Sequence, residues 1–284
     1  MIGIVLAAGS GSRMFPSSEG ISKHFFPVLD KPLFYYPLSV LLLLKIKKII
    51  IIVNKEDLNS FKIKIKDFNK IGIDIKLVVQ NKSLGIPHAI LSAKKYINNK
   101  KCCVVLGDNI FHGQNFKEIL IKQSKLKGAS VLIYKTIYPK DYAVAEIKNS
   151  KIIKIIEKPK NNKNKNAVTG LYFFDKNLIK YCNQIKPSRR NELEISDVLN
   201  LYIKRKMLKN YLLGRGFTWF DAGTPERLLR ASSFIQHNES FTGLKIACLE
   251  EIALSNNWVT KIKLKKIIKK YPNSAYKKYI MELI

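Results

Sequence analysis

Only seven of the 51 basic residues in this 284-residue chain are arginines, and acidic residues number 21. The formal charge of +30 is therefore a lysine charge, and it is spread along the whole chain. Lysine, isoleucine and asparagine rise together, which fits a coding sequence rich in A and T. A specific nucleic-acid reader more often gathers arginine and aromatics on one face, so none is expected here. Salt-sensitive, nonspecific binding to polyanions is the most this charge implies. Cysteine is also scarce. Cys102, Cys103, Cys182 and Cys248 form no C-x-x-C pair, and the adjacent two sit in an apolar run. Reduced, buried thiols are the expectation, not disulfides or a metal cluster. No long uncharged apolar run exists either. The most apolar stretch, 38–53, is broken by Lys45, Lys47 and Lys48, so no membrane span is expected. Residues 1–20 have no basic stretch ahead of an apolar one, so no secretion signal is expected and the cytoplasm is the simplest location.

What is present is an apolar content of 46%, enough for a large α/β domain with a substantial core. Residues 2–6, 49–53, 73–79 and 102–106 read as buried strands. Between and after them, 38–44, 57–69, 87–97 and 116–127 read as helices. This alternation predicts a mostly parallel central sheet covered by helices on both faces. Ligands of such sheets bind at the carboxyl ends of the strands, where the strand order reverses. From residue 130 shorter β segments follow, at 130–135, 143–147, 151–156 and 167–174. The Lys/Asn tract 160–166 reads as a mobile loop. Helical patterns return at 193–204 and 224–238. The tail reads as a helical C-terminal appendage, giving a division into 1–238 and 239–284.

The first strand runs into Gly9-Ser10-Gly11-Ser12 and then Arg13, with Lys23 ten residues on. Glycine lets backbone N–H groups approach an anion closely, and two cations stand near, so the turn suits a polyphosphate. It is not a dinucleotide fingerprint, because Met14 stands where the third glycine belongs. It is not a Walker loop, because no Gly-Lys-Ser/Thr follows. Asp108 comes directly after the strand 102–106. It reads either as a turn former or as a ligand for Mg²⁺, whose hard charge suits carboxylate oxygens. Asp221 lies in Gly214-Arg215-Gly216-Phe217-Thr218-Trp219-Phe220-Asp221, and locally reads equally as a helix cap before Pro225.

Over residues 2–40 the matches Gly9, Gly11, Arg13, Pro16, Ser22, Lys23, Pro27, Val28, Lys31, Pro32, Tyr36 and Pro37 resemble the opening signature of the sugar-nucleotide pyrophosphorylases. Residues 106–113, 157–159, 167–172 and 214–224 resemble later motifs of that family. Residues 30–39 and 243–253 look most like its glucose-1-phosphate thymidylyltransferase branch. The resemblance implies a Rossmann-like nucleotidyltransferase fold, a Mg²⁺-dependent transfer from dTTP to glucose 1-phosphate, and a homotetramer serving dTDP-rhamnose and polysaccharide synthesis. It assigns Arg13 and Lys23 to the triphosphate and Asp108 and Asp221 to the metal. Lys158 and Arg190 fall to the attacking phosphate. Gly9, Gly11, Gln80 and Gly85 fall to the nucleotide, and Ala143, Glu157, Val168 and Thr169 to the sugar. The runners-up are a uridylyltransferase on the same sugar phosphate and a non-catalytic sugar-nucleotide binder.

The chain departs from the family pattern at Ala8, His24, Leu84, Pro87-His88, Ala143 and Ala222. The charged and metal-binding positions are kept, and the changes gather at the base and sugar pockets. An active enzyme with altered specificity is the expectation.

Overall fold

A computed structural model describes residues 1–9, 11–160 and 164–284. Ser10 of the Gly-rich turn and residues 161–163 of the expected loop lie outside the described residues.

The parallel heart of the sheet is built from β1 (Ile2–Ala7), β4 (Lys48–Val53), β5 (Asp74–Val79) and β6 (Cys102–Leu106), in the order β5-β4-β1-β6. Between β1 and β4 come a short hairpin, β2 (Pro27–Val28) with β3 (Lys31–Pro32), and helix α1 (Tyr35–Leu43). Helices α2 (Leu58–Ile65), α3 (Ile86–Ser92) and α4 (Lys94–Ile97) complete the crossovers. The runs are continuously apolar because both faces are covered. Ile2, Ile4 and Leu6 enter the core on one face, and Val5 and Ala7 enter the core on the other. Each of the buried Ile, Leu and Val side chains contributes about 2 kcal/mol of burial free energy. The strand order reverses between β1 and β6, where Leu6 pairs with Leu106 and the Gly107 N–H donates to the Leu6 carbonyl at 2.8 Å.

β7 (Asn109–Gly113), α5 (Phe116–Lys125), β8 (Ala129–Lys135), β9 (Val144–Lys148), β10 (Lys151–Ile156) and β11 (Asn166–Phe174) follow. The later β segments are not a separate layer. β11 pairs antiparallel with β6, β8 and β9, so they extend the same sheet. After α6 (Leu178–Cys182) and α7 (Ile195–Lys204), β12 (Leu208–Leu212) joins β8 in parallel. β13 (Phe217–Asp221) pairs antiparallel with β7 as a ladder outside the main sheet. Neither β7, β12 nor β13 is expected from periodicity, since they are short and half polar.

The expected helix 87–97 is two pieces. The Ser92 hydroxyl donates to the Ala89 carbonyl at 2.6 Å, and the Ala93 N–H turns to the Ile90 carbonyl, which breaks the α ladder. The expected 57–69 helix stops at Ile65, followed by a 3-10 turn at Phe68–Ile71. α8 (Pro225–Thr242) runs through residue 238, and α9 (Leu249–Ser255), α10 (Lys261–Ile268) and α11 (Ala275–Leu283) come after it. Leu249, Ala253, Leu264, Ile268 and Ile280 share the core that holds Leu38 and Leu41 of α1. Glu250 ties these last helices together by accepting from the Tyr271 and Tyr276 hydroxyls at 2.8 and 2.6 Å. All four cysteines are buried and free. No helix among the described residues is long and apolar enough to cross a membrane.

Candidate active site

A cavity of about 390 Å³ opens at the carboxyl ends of the parallel strands. Arg13, Lys23, Gly9, Gln80, Gly85, Asp108, Ala143, Glu157, Lys158, Val168, Arg190 and Asp221 all line it. Two candidates do not. Gly11 shapes the turn from behind, at φ +67°, with its carbonyl accepting from the Ser18 hydroxyl at 2.9 Å. Thr169 is fully buried on β11 and does not line the cavity, whereas Val168 and Gly170 on either side of it do. Strand alternation turns residue 169 to the opposite face of the sheet, so its side chain is not a sugar contact.

The two acidic candidates are brought together by backbone. In the β7–β13 ladder Asn109 pairs with Asp221, and the Ala222 N–H donates to the Asp108 carbonyl at 2.8 Å. Asp221 is not the helix cap. That position belongs to Thr224, whose hydroxyl accepts from the Arg227 N–H. Asp108 is buried and its Oδ2 accepts from Lys23 Nζ at 2.5 Å. Burial alone would raise its pKa, but the Lys23 charge and hydrogen bonds from Lys23 and Asn109 hold the carboxyl well below the usual range. Asp221 is pushed up, first by burial and second by the Asp108 charge, against the pull of Arg13, Lys23 and Arg227. Two buried carboxylates that repel one another form a donor set a divalent cation relieves. Mg²⁺ takes one or two carboxylates and completes its shell with phosphates and water, so this pair fits it.

Asn109 is the hub of the site. Its Nδ2 donates to Asp108 Oδ1 at 3.0 Å, while its Oδ1 accepts from the Gly170 N–H at 3.0 Å and from Trp219 Nε1 at 2.7 Å. One carboxamide on β7 thereby joins the turn after β6 to β11 and β13. Arg190 lays its fork on Glu194, with Nε and Nη2 at 3.1 and 3.0 Å, and Nη2 stands 3.9 Å from Glu157. Burial, then the Glu194 charge, pushes the Glu157 carboxyl up. Across the cavity, Gln80 Nε2 lies 3.0 Å from His88 Nδ1. At Gly85, φ is +94°, and a methyl there would sit 2.2 Å from the Leu193 carbonyl oxygen.

His24 is buried against Gly107, where a Cβ would meet its ring at 2.7 Å. Burial, aided by the Lys23 charge and opposed by Asp108, lowers its pKa to about 3. Above roughly pH 6.5 the imidazole is neutral in both the folded and unfolded chain. Below that, the unfolded chain takes up a proton that the folded chain refuses down to about pH 3. Stability is therefore expected to fall by about 1.4 kcal/mol per pH unit from this residue alone. His24→Gln is expected to flatten the fall between about pH 6 and pH 4 in a pH series of urea melts. An identical slope in the variant would show that His24 is not the proton acceptor.

The chain matches a family model described as nucleotidyl transferase over residues 2–238. It is 43% identical over 287 residues to the glucose-1-phosphate thymidylyltransferase of Neisseria meningitidis, covering 100% of this chain and 99% of that protein. The enzyme of the same name from Xanthomonas campestris is 39% identical, with 99% and 96% covered. The chain belongs to this nucleotidyl transferase family. Its neighbours there are glucose-1-phosphate thymidylyltransferases. A Bacillus anthracis structure assigned to that enzyme, in complex with a sucrose, superposes with a TM-score of 0.76 at 36% identity, covering 82% of this chain and 95% of that one. A UDP-glucose pyrophosphorylase complexed with UDP-glucose shares the nucleotidyl transferase fold, with a TM-score of 0.73 at 23% identity and 84% and 98% covered.

Sequence reasoning misses Asn109, Tyr142, Trp219, Asp141 and Arg227. Only Arg227 carries a local signal. It is a cation in the first turn of a helix, where the peptide dipoles disfavour positive charge, and this calls for a tertiary carboxylate.

Proposed function

We propose that this chain transfers a thymidylyl group from dTTP to glucose 1-phosphate, giving dTDP-glucose and pyrophosphate. The observation that carries this reading is one cavity in which a Gly-rich turn with Arg13 and Lys23 faces the Asp108–Asp221 pair, while Lys158 and Arg190 stand on the sugar side. Full-length relatives named for the reaction support it.

A phosphate oxygen of glucose 1-phosphate attacks the α-phosphorus in line, and the bond from that phosphorus to the oxygen of pyrophosphate breaks. The nucleophile is already an anion at neutral pH, so no Ser, Cys or His nucleophile is needed. The residues position the reactants and stabilise charge. Lys158 and Arg190 hold the attacking monoester, for which Arg190 exchanges its fork from Glu194. Arg13 and Lys23 hold the β- and γ-phosphates and the departing pyrophosphate. Asp108 and Asp221 would hold Mg²⁺, which neutralises charge at the α-phosphate when bound. For that, Lys23 gives up Asp108 and turns to the triphosphate. Gln80 both donates and accepts, which suits the edge of thymine. Glu157, the backbone at Ala143, and Val168 form the sugar wall. Family resemblance also supports a cytoplasmic homotetramer that feeds dTDP-rhamnose synthesis.

The test is pyrophosphate release by the purified chain with Mg²⁺ and glucose 1-phosphate, comparing dTTP with UTP. Turnover with dTTP is expected, and Asp108→Asn is expected to lose about two orders of magnitude of it. Preference for UTP would keep the mechanism and change the base. Silence with every triphosphate from a folded chain would leave only a binding role.

A further inference from the structure

A helix N-terminus is the wrong end for a cation, yet Arg227 stands in the first turn of α8. Its partners are all tertiary. Nη1 donates to Asp221 Oδ2 at 3.1 Å, Nη2 donates to Asp141 Oδ2, and the guanidinium lies 5.5 Å from the centroid of the Tyr142 ring. Asp141, Tyr142 and Asp221 line the cavity, while Arg227 stands behind its wall. The segment it grips ends in a 3-10 turn, Pro139–Asp141, and leads directly into Ala143 on the sugar wall. Ile137 and Tyr138 just before it are exposed, and Asp141 itself has no apolar hold, whereas Tyr142 packs on the Trp219 ring at 4.8 Å and Ala143 is buried. Asp221 lies at the end of a strand fixed by the β7–β13 ladder. One planar fork thus joins the strand end at Asp221 to the exposed approach of the sugar-side lip at Asp141, in a pairing that two N–H directions of arginine satisfy and a lysine cannot reproduce.

We propose that Arg227 is a positioning residue of the transfer site: with Asp141 it forms a clasp that holds the sugar-side lip at 141–143 against Asp221. The inference rests on the functional reading above and adds that discrimination for the sugar part of the ligand depends on two residues that are neither phosphate nor metal ligands, although Arg227 pairs with Asp221. Arg227 touches neither reacting phosphate. Its effect passes through Tyr142 and Ala143 to the hexose, and the nucleotide half of the ligand is held by β1, Gln80 and Gly85 on the other side of the cavity.

The test is calorimetric titration of the whole chain, without metal, with dTDP-glucose and separately with dTDP. Asp141→Asn, Arg227→Met, Arg227→Lys and the double variant Asp141→Asn with Arg227→Met are compared, with thermal melts confirming that each is folded. Asp141→Asn and Arg227→Met are each expected to weaken dTDP-glucose about tenfold, with dTDP kept within about threefold. Arg227→Lys is expected to recover part of the loss. The double variant is expected to be no weaker than the worse single one, because both break the same clasp. Unchanged dTDP-glucose binding in folded single variants overturns the proposal, as does an equal loss for dTDP or a simple sum in the double variant. A wild-type chain that binds neither ligand removes the functional reading and this one together. Wild-type binding with indifferent variants removes only the clasp.

Discussion

Arg13→Ala is expected to slow pyrophosphate release by about two to three orders of magnitude, as loss of one donor to a developing anion does, while the melting temperature stays within about two degrees. The two halves of that result come from the same geometry. Arg13 is exposed on the 3-10 turn Ser12–Met14, so its removal opens no cavity, and buried Asp221, which loses one neighbouring charge, keeps its ion pair with Arg227 at 3.1 Å. Its guanidinium reaches the cavity beside Gly223, where a methyl would sit 2.8 Å from Nη2 and 3.0 Å from Asp221 Oδ1. In the proposed reaction a cation there would meet the triphosphate where charge builds up on the leaving pyrophosphate. Single-turnover measurement at saturating dTTP reads the chemical step directly. A rate equal to wild type would take Arg13 out of the mechanism.

Gly85→Ala is expected to be the most damaging single methyl in the cavity wall. The backbone at residue 85 has φ +94° and ψ 171°, a conformation that costs side-chain-bearing residues about 1–3 kcal/mol. The added carbon would also lie 2.2 Å from the Leu193 carbonyl oxygen and 3.0 Å from the Leu193 carbonyl carbon and nitrogen. Relief requires separating this turn from residue 193, whose N–H donates to the Leu84 carbonyl at 2.9 Å. A loss of about 3 kcal/mol follows, which in a chain of this size is a fall of roughly 6–12 °C in melting temperature. The turn also opens α3, which carries His88 onto Gln80, so the KM for dTTP is expected to rise about tenfold beyond the stability effect. A variant that melts with the wild type would show that the contact to Leu193 yields easily.

The parallel half of the fold is legible in the sequence because its strands are continuous apolar runs that nothing else explains. Residues 102–106 are found to the residue, and 2–6 and 49–53 to within one. β7 and β13 are hidden for the opposite reason. Phe217–Asp221 and Asn109–Gly113 mix aromatic, polar and glycine positions, and only their mutual pairing makes them strands. Asp108 and Asp221 are therefore individually visible as motif carboxylates, while the ladder that sets them side by side is not. Thr169 shows the reverse failure. A motif names a stretch of chain, but the period of two decides which of its side chains faces the ligand. Arg190 is visible as a phosphate-binding candidate, whereas its present grip on Glu194 depends on where α7 begins.

Asn109 has a practical consequence for anyone wishing to change which sugar the pocket accepts. Its oxygen serves two donors from different strands and its nitrogen serves Asp108, so every replacement there unties the wall at Gly170 and Trp219 and the Asp108 carboxylate at once. Gly170 is equally closed to variation, since a methyl would lie 2.4 Å from that same oxygen. Ala143 and Val168 face the same space with no side-chain hydrogen bond to keep, and their backbones are tied to each other where the Val168 N–H donates to the Ala143 carbonyl at 2.8 Å. A library for alternative sugar phosphates therefore has two open letters and two that must be left as they are.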